Sequence, residues 1–147
     1  MNTLSWGTQY NLSRDNYGGF MLICSPGKKR DGWLVGNAWN RGSVVRYNVS
    51  INDGLRTAGH KEYRAPIFHI TGETTQDTEI YSNLVIVPKK PDPKMDANLI
   101  LFDQWGGNYP VNTSIRDNVF VLVDNQPGTF DFGAAPTTAP ISIRFAT

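Results

Sequence analysis

The sequence predicts an all-β fold, an antiparallel β-sandwich of jelly-roll or Greek-key topology with little or no helix, spanning 1–147 as one domain. Three observations carry this. Apolar and polar residues alternate with a period of two, several apolar runs are too short for typical helices, and Gly, Pro, Asn and Asp cluster between them.

The elements follow in order. Trp6, Thr8, Tyr10 and Leu12 alternate with Ser5, Gly7, Gln9 and Asn11, as in a half-buried strand. Over 44–52, Val45, Tyr47, Val49 and Ile51 fall on one side of an extended chain and Arg46, Asn48, Ser50 and Asn52 on the other. Runs at 20–24, 67–70, 84–87, 99–102 and 119–123 are rich in β-branched or aromatic residues and read as further strands. Ile141, Ile143 and Phe145 make a last strand, expected to be paired. Residues 112–118 offer the one place for a helical turn, with Asn112 or Thr113 as its cap. No repeat of 20–50 residues stands out, which argues against a trefoil, propeller or solenoid. The proline-rich stretch 88–94 is an extended connection inside the domain, crossing between sheets.

The chain has 147 residues, a usual size for one domain. Four Trp, six Tyr and seven Phe supply the burial a core needs. A formal charge of +1 gives no general attraction to nucleic acid or anionic membranes. One cysteine, Cys24, excludes an internal disulfide. It lies in an apolar run, where a thiol acts as a small hydrophobe with a raised pKa, not as a nucleophile. No apolar stretch of about 18 residues occurs, so no membrane span is expected. The first residues lack the basic start and apolar run of a signal peptide, and virion surface, secretion and cytosol all remain compatible localisations.

The chemical motifs are sparse. His69 alternates with Phe68 and Ile70 on a strand, while His60 sits in a polar loop. There is no G-x-S-x-G elbow, and 25–30 lacks the full phosphate-loop pattern. His60 with Glu62, or His69 with Glu73, supplies only two ligands at spacings unlike a zinc motif, so no metal or other cofactor is expected. Lys28, Lys29 and Arg30 form one basic loop tip, and Lys89, Lys90 and Lys94 another. Asn-x-Ser/Thr sequons occur at Asn11, Asn48 and Asn112.

Two loops carry recognition chemistry. In Asp103-Gln104-Trp105-Gly106-Gly107-Asn108-Tyr109, rings able to stack on the C–H face of a sugar are flanked by planar polar groups for its hydroxyls. The stretch 33–41 repeats the combination, with Trp39, Asn40 and Arg41 at its end. The expected site is therefore Trp105, Asp103, Gln104, Asn108, Tyr109, Trp39, Asn40 and Arg41.

On the sandwich analogy, the expected function is a non-catalytic recognition or assembly domain resembling viral capsid projections, fibre heads or adhesins. It would bind a glycan or protein receptor through its loops and work as a homo-oligomer, without nucleic acid. One alternative is a free-standing carbohydrate-binding lectin. Another is a small hydrolase using His60 or His69 with a carboxylate such as Asp77 or Glu79.

Overall fold

The computed structural model describes residues 7–25, 40–55, 65–72, 75–89, 97–104, 109–133 and 141–146, the last segment by its backbone alone. Strands dominate, and every strand pairing among these residues is parallel. This overturns the antiparallel sandwich. Jelly-roll and Greek-key topologies need antiparallel neighbours, and the likeness to capsid projections, lectins and receptor-binding heads drawn from them is withdrawn with them.

The chain instead winds as a parallel β-solenoid, each coil laying its strands beside those of the coil before. The first sheet stacks β1 (Gly7–Gln9), β5 (Val44–Arg46), β9 (Glu79–Tyr81) and the start of β12 (Ser114–Leu122). The second stacks β2 (Leu12–Arg14), β6 (Val49–Ile51), β10 (Leu84–Val87) and the end of β12. The third holds β3 (Met21–Cys24), β7 (Phe68–Thr71), β11 (Ala97–Asp103) and β13 (Gly128–Asp131). A short fourth pairs β4 (Asn40–Arg41) with β8 (Thr75–Gln76), and Gln76 bridges to Val111. The last strand, β14 (Ile141–Ala146), is paired as expected, along β12.

Gly7, Val44, Glu79 and Ser114 share one column, so successive coils take 37, 35 and 35 residues. The chain thus repeats within the window where no repeat was expected. Insertions conceal it: in the third sheet Met21, Phe68, Ile100 and Phe130 are aligned at steps of 47, 32 and 30.

The corner between the first two sheets explains why strand-like alternation misled. Tyr10, Tyr47, Ser82 and Asp117 adopt positive φ of 53–58° there, which turns the chain. Each is followed by an asparagine. Residues 44–52 are therefore two strands on two sheets, not one. Val45 is buried, Tyr47 points out at the corner, and Asn48 and Ser50 are buried beyond it, whereas Val49 and Ile51 are only half-buried. The stretch 6–12 breaks likewise at Tyr10, and the helical turn expected over 112–118 gives way to β12.

The four asparagines form a ladder. Asn11 donates its backbone N–H and Nδ2 to Asn48 Oδ1, both at 3.0 Å. Asn48 donates in the same way to Asn83 Oδ1 at 3.1 and 2.9 Å, and Asn83 to Asn118 Oδ1 at 3.1 and 2.8 Å. Asn83 Nδ2 also reaches the carbonyls of Val45 and Tyr81. Buried polar groups are thereby satisfied where the backbone bends and the sheet ladder is interrupted.

Inside the coils, Val45, Ile80 and Ile115 stack from the first sheet, Val85 and Phe120 from the second, and Phe68, Ile70, Ile100 and Phe102 from the third. Phe120 crosses the interior to meet Phe68 and Phe130 edge-on, at centroid distances of 6.5 and 5.5 Å.

The ladder predicts a position-dependent cost. Asn83→Ala strips acceptors and donors from both neighbouring rungs and is expected to lower stability by roughly 3 kcal/mol. Asn11→Ala, at the exposed end, should lose about 1 kcal/mol or less. Urea midpoints with unchanged m-values measure both; equal losses would contradict the ladder as the reason for the difference.

Candidate functional site

The outer face at the end of the third sheet brings a histidine, a threonine and an aspartate together. Cys24, Thr71 and Asp103 are aligned across β3, β7 and β11, and His69 lies one residue pair earlier, between Leu22 and Leu101. Because Ile23, Ile70 and Phe102 point into the core, alternation sends these residues to the outer face. There His69 Nε2 lies 2.5 Å from Asp103 Oδ2, and the Thr71 hydroxyl donates to Asp103 Oδ1. Asp103 thus bridges the coils, holding the imidazole and the hydroxyl of the strand beside it. His69 is only 7% exposed, and Asp103 is half-buried.

From this face the chain turns towards the short fourth sheet, and the coils differ in how they cross. The first coil leaves at Ser25 and returns at Asn40; the third leaves at Gln104 and returns at Tyr109. The second crosses from Gly72 to Thr75, where Thr75 N–H donates to Gly72 O at 3.0 Å and its hydroxyl to Thr71 O at 2.8 Å. Gly72, with φ of 93°, lies against the Ser25 backbone so closely that a Cβ would overlap the Ser25 carbonyl. Only glycine fits this tight crossing.

On the returning side, Arg41 Nε donates to Asp77 Oδ2 at 2.6 Å and Asn112 Nδ2 to Asp77 Oδ1 at 2.7 Å. Asp77 and Asn112 occupy the positive-φ position of successive coils, with Gly42 above them. Hydrogen bonds from Asn112 and then Arg41 hold the Asp77 carboxyl below the usual aspartate range.

Of the expected site residues, Asp103 is tied to His69 and Thr71, and Gln104 is exposed beside it. Tyr109 is half-buried, its ring against Gly133 of the next coil. Asn40 Oδ1 accepts from the Ser43 hydroxyl at 2.5 Å, and Arg41 serves Asp77. Trp39, Trp105 and Asn108 lie outside the described residues, as do His60, Glu62, Glu73, Lys28, Lys29, Arg30, Lys90 and Lys94. The carboxylates first matched with His69 are committed elsewhere, Asp77 to Arg41 and Glu79 to Arg116 at 3.0 Å. Burial raises the Cys24 thiol, favouring its neutral form. The sequons at Asn11 and Asn48 mark ladder residues, and Asn48 is buried.

Sequence reasoning missed Thr71 and the outer surface of the first sheet. There Tyr10 and Tyr47 stack at 5.4 Å, Tyr47 meets Tyr81 edge-on at 6.0 Å, and Arg116 lies over Tyr81 at 4.0 Å. The repeated pair of a corner residue and asparagine at 10–11, 47–48, 82–83 and 117–118 was the available signal.

No protein-family model, no curated protein and no solved structure matches this chain. Among the described residues no helix is long and apolar enough to cross a membrane, and no group of three or more His, Cys, Asp or Glu is placed to hold a metal ion.

The Asp77 contacts set a pH dependence. A carboxyl whose pKa is depressed by folding stabilises fully above its unfolded pKa and loses that contribution as pH falls through the folded value. The wild type should therefore lose more stability than Asp77→Asn as pH falls below about 4. Parallel acid-limb loss in urea titrations of both proteins would contradict this.

Proposed function

We propose that this chain is a non-catalytic recognition module, with the corner after the third sheet as its binding face for a glycan. The supporting observation is the alignment of its connections. The segments carrying Trp39 and Trp105 depart from Ser25 and Gln104, which follow the aligned residues Cys24 and Asp103 in coils on either side of the tight Gly72 crossing. Two rungs separate the departure points, about 10 Å at the usual strand spacing. Both recognition segments thus start from one edge of the solenoid, at the strand ends that carry Cys24 and Asp103.

A parallel solenoid suits such a role because its backbone bonds are satisfied within the stack, leaving connections free to vary in length and chemistry. Assembly into homo-oligomers would multiply a weak single site. The outward columns of the second sheet favour assembly: Val49, Leu84 and Val119 in one, Ile51, Ile86 and Val121 in the next, all half-buried.

Trp105→Ala should cut binding on a glycan array roughly tenfold while leaving the melting temperature within about 2 °C of wild type. Unfolding would make Trp105 a core residue and sink the reading. A protein blank on every glycan would redirect it towards protein partners.

A second reading, a small hydrolase, draws on the 2.5 Å contact between His69 and Asp103, the geometry of an imidazole positioned by a carboxylate. Turnover of a nitrophenyl ester or glycoside panel that His69→Gln reduces at least about a hundredfold would establish it. A rate unchanged in that variant would dismiss it.

A further inference from the structure

The N-terminal rung carries a second concentration of unused binding groups, in the consecutive residues Gln9, Tyr10 and Asn11. Tyr10 stands at the corner with φ of 58° and is 74% exposed. Its ring lies nearly parallel to that of Tyr47, at an interplanar angle of 19°, so one face rests on the next coil. Among the described residues β1 ends its sheet, and the face of the ring opposite Tyr47 meets no other described ring.

The flanking amides are fixed by the coil below. Gln9 Oε1 accepts from Arg46 Nε at 2.8 Å, which leaves its Nε2 as a donor. Asn11 Nδ2 donates to the Gln9 carbonyl and to Asn48 Oδ1. In the rungs of Asn48, Asn83 and Asn118 each Oδ1 accepts two hydrogen bonds from the preceding rung, whereas Asn11 Oδ1 accepts none from the described residues. An aromatic face, a planar donor and a planar acceptor thus stand on three consecutive residues, each held by a partner in the second coil.

We propose that Gln9, Tyr10 and Asn11 form a platform for a neutral pyranose ring, separate from the corner after the third sheet. The apolar C–H face of the sugar packs on Tyr10, one hydroxyl donates to Asn11 Oδ1, and another accepts from Gln9 Nε2. A neutral sugar fits because the groups offered to it are two amides and an aromatic ring, while Arg14 pairs with Asp15 at 3.0 Å and Arg46 spends donors on Gln9 and Tyr81. The holding contacts order these side chains before the sugar arrives, which lowers the entropic cost of binding.

The test uses the full chain, isotopically labelled, titrated with the methyl pyranosides of glucose, galactose, mannose and N-acetylglucosamine. At least one should shift the Tyr10 ring and Asn11 side-chain amide signals, with a dissociation constant on the order of 1 mM. Tyr10→Ala should weaken that binding by roughly tenfold or more, and Tyr10→Phe should keep it within about twofold. Matching melting temperatures would establish that the variants are folded. The proposal is overturned if no sugar moves these signals, or if Tyr10→Ala binds as wild type does. It is equally overturned if sedimentation shows self-association that Tyr10→Ala abolishes, since the open rung would then be a protein interface.

Discussion

The bend between the first and second sheets is the constraint from which the rest of the molecule follows. A residue at positive φ turns the chain, but a turn inside a closed coil leaves backbone N–H and C=O groups that the sheets cannot reach. Asparagine meets that demand with one side chain: Asn83 donates to carbonyls of its own coil and of the preceding one, while its Oδ1 accepts from Asn48. Since the Oδ1 atoms of Asn48, Asn83 and Asn118 also take the backbone N–H of the preceding asparagine, a slip of one residue between coils would break the ladder and turn the core outward together. Register is therefore fixed at the bend, and the parallel sheets inherit it.

That division of labour leaves the third sheet free to be irregular on either side. The long excursion of the first coil follows its third-sheet strand, whereas that of the second coil precedes it, yet both coils return to the bend after nearly equal lengths of chain. The His69, Thr71 and Asp103 group sits where this variation begins. Its side chains come from adjacent coils, so their meeting depends on the register set at the bend. Asp77 plays a corresponding part on the returning side, drawing Arg41 of the coil before and Asn112 of the coil after.

Strand content was legible in the sequence because β-branched and aromatic runs report half-buried extended chain whatever the neighbour's direction. The runs at 84–87 and 67–70 lie on β10 and β7 for that reason. Direction was not legible: residues 44–52 alternate equally well as one strand or as two strands folded at Tyr47, and only the recurrence of Asn48 at Asn83 and Asn118 separates the cases. Pairwise chemistry was hidden by distance along the chain. His69 and Asp103 are 34 positions apart, one coil, so reasoning from local spacing looked to Asp77 and Glu79, which face other partners. Asp103 was singled out for its loop, and its link to His69 could not be foreseen without the period.

The interior also changes character along the stack. In the second sheet the inward column runs from Ser13 and Ser50 to Val85 and Phe120. Asp53, fully buried, accepts from both serine hydroxyls at 2.6 Å and from Asn16 N–H at 3.0 Å. The first two coils are thus joined partly by directional hydrogen bonds, the later ones by aromatic and aliphatic packing. In a linear stack stability is nearly a sum over neighbouring coils, so the end with less apolar burial opens most easily. Among the described residues the first rung bears the most exposed large apolar side chains, Tyr10, Leu12 and Tyr17. A rung with a small share of the core can present such groups outward, because substitutions there disturb the stack less than they would beside Phe120.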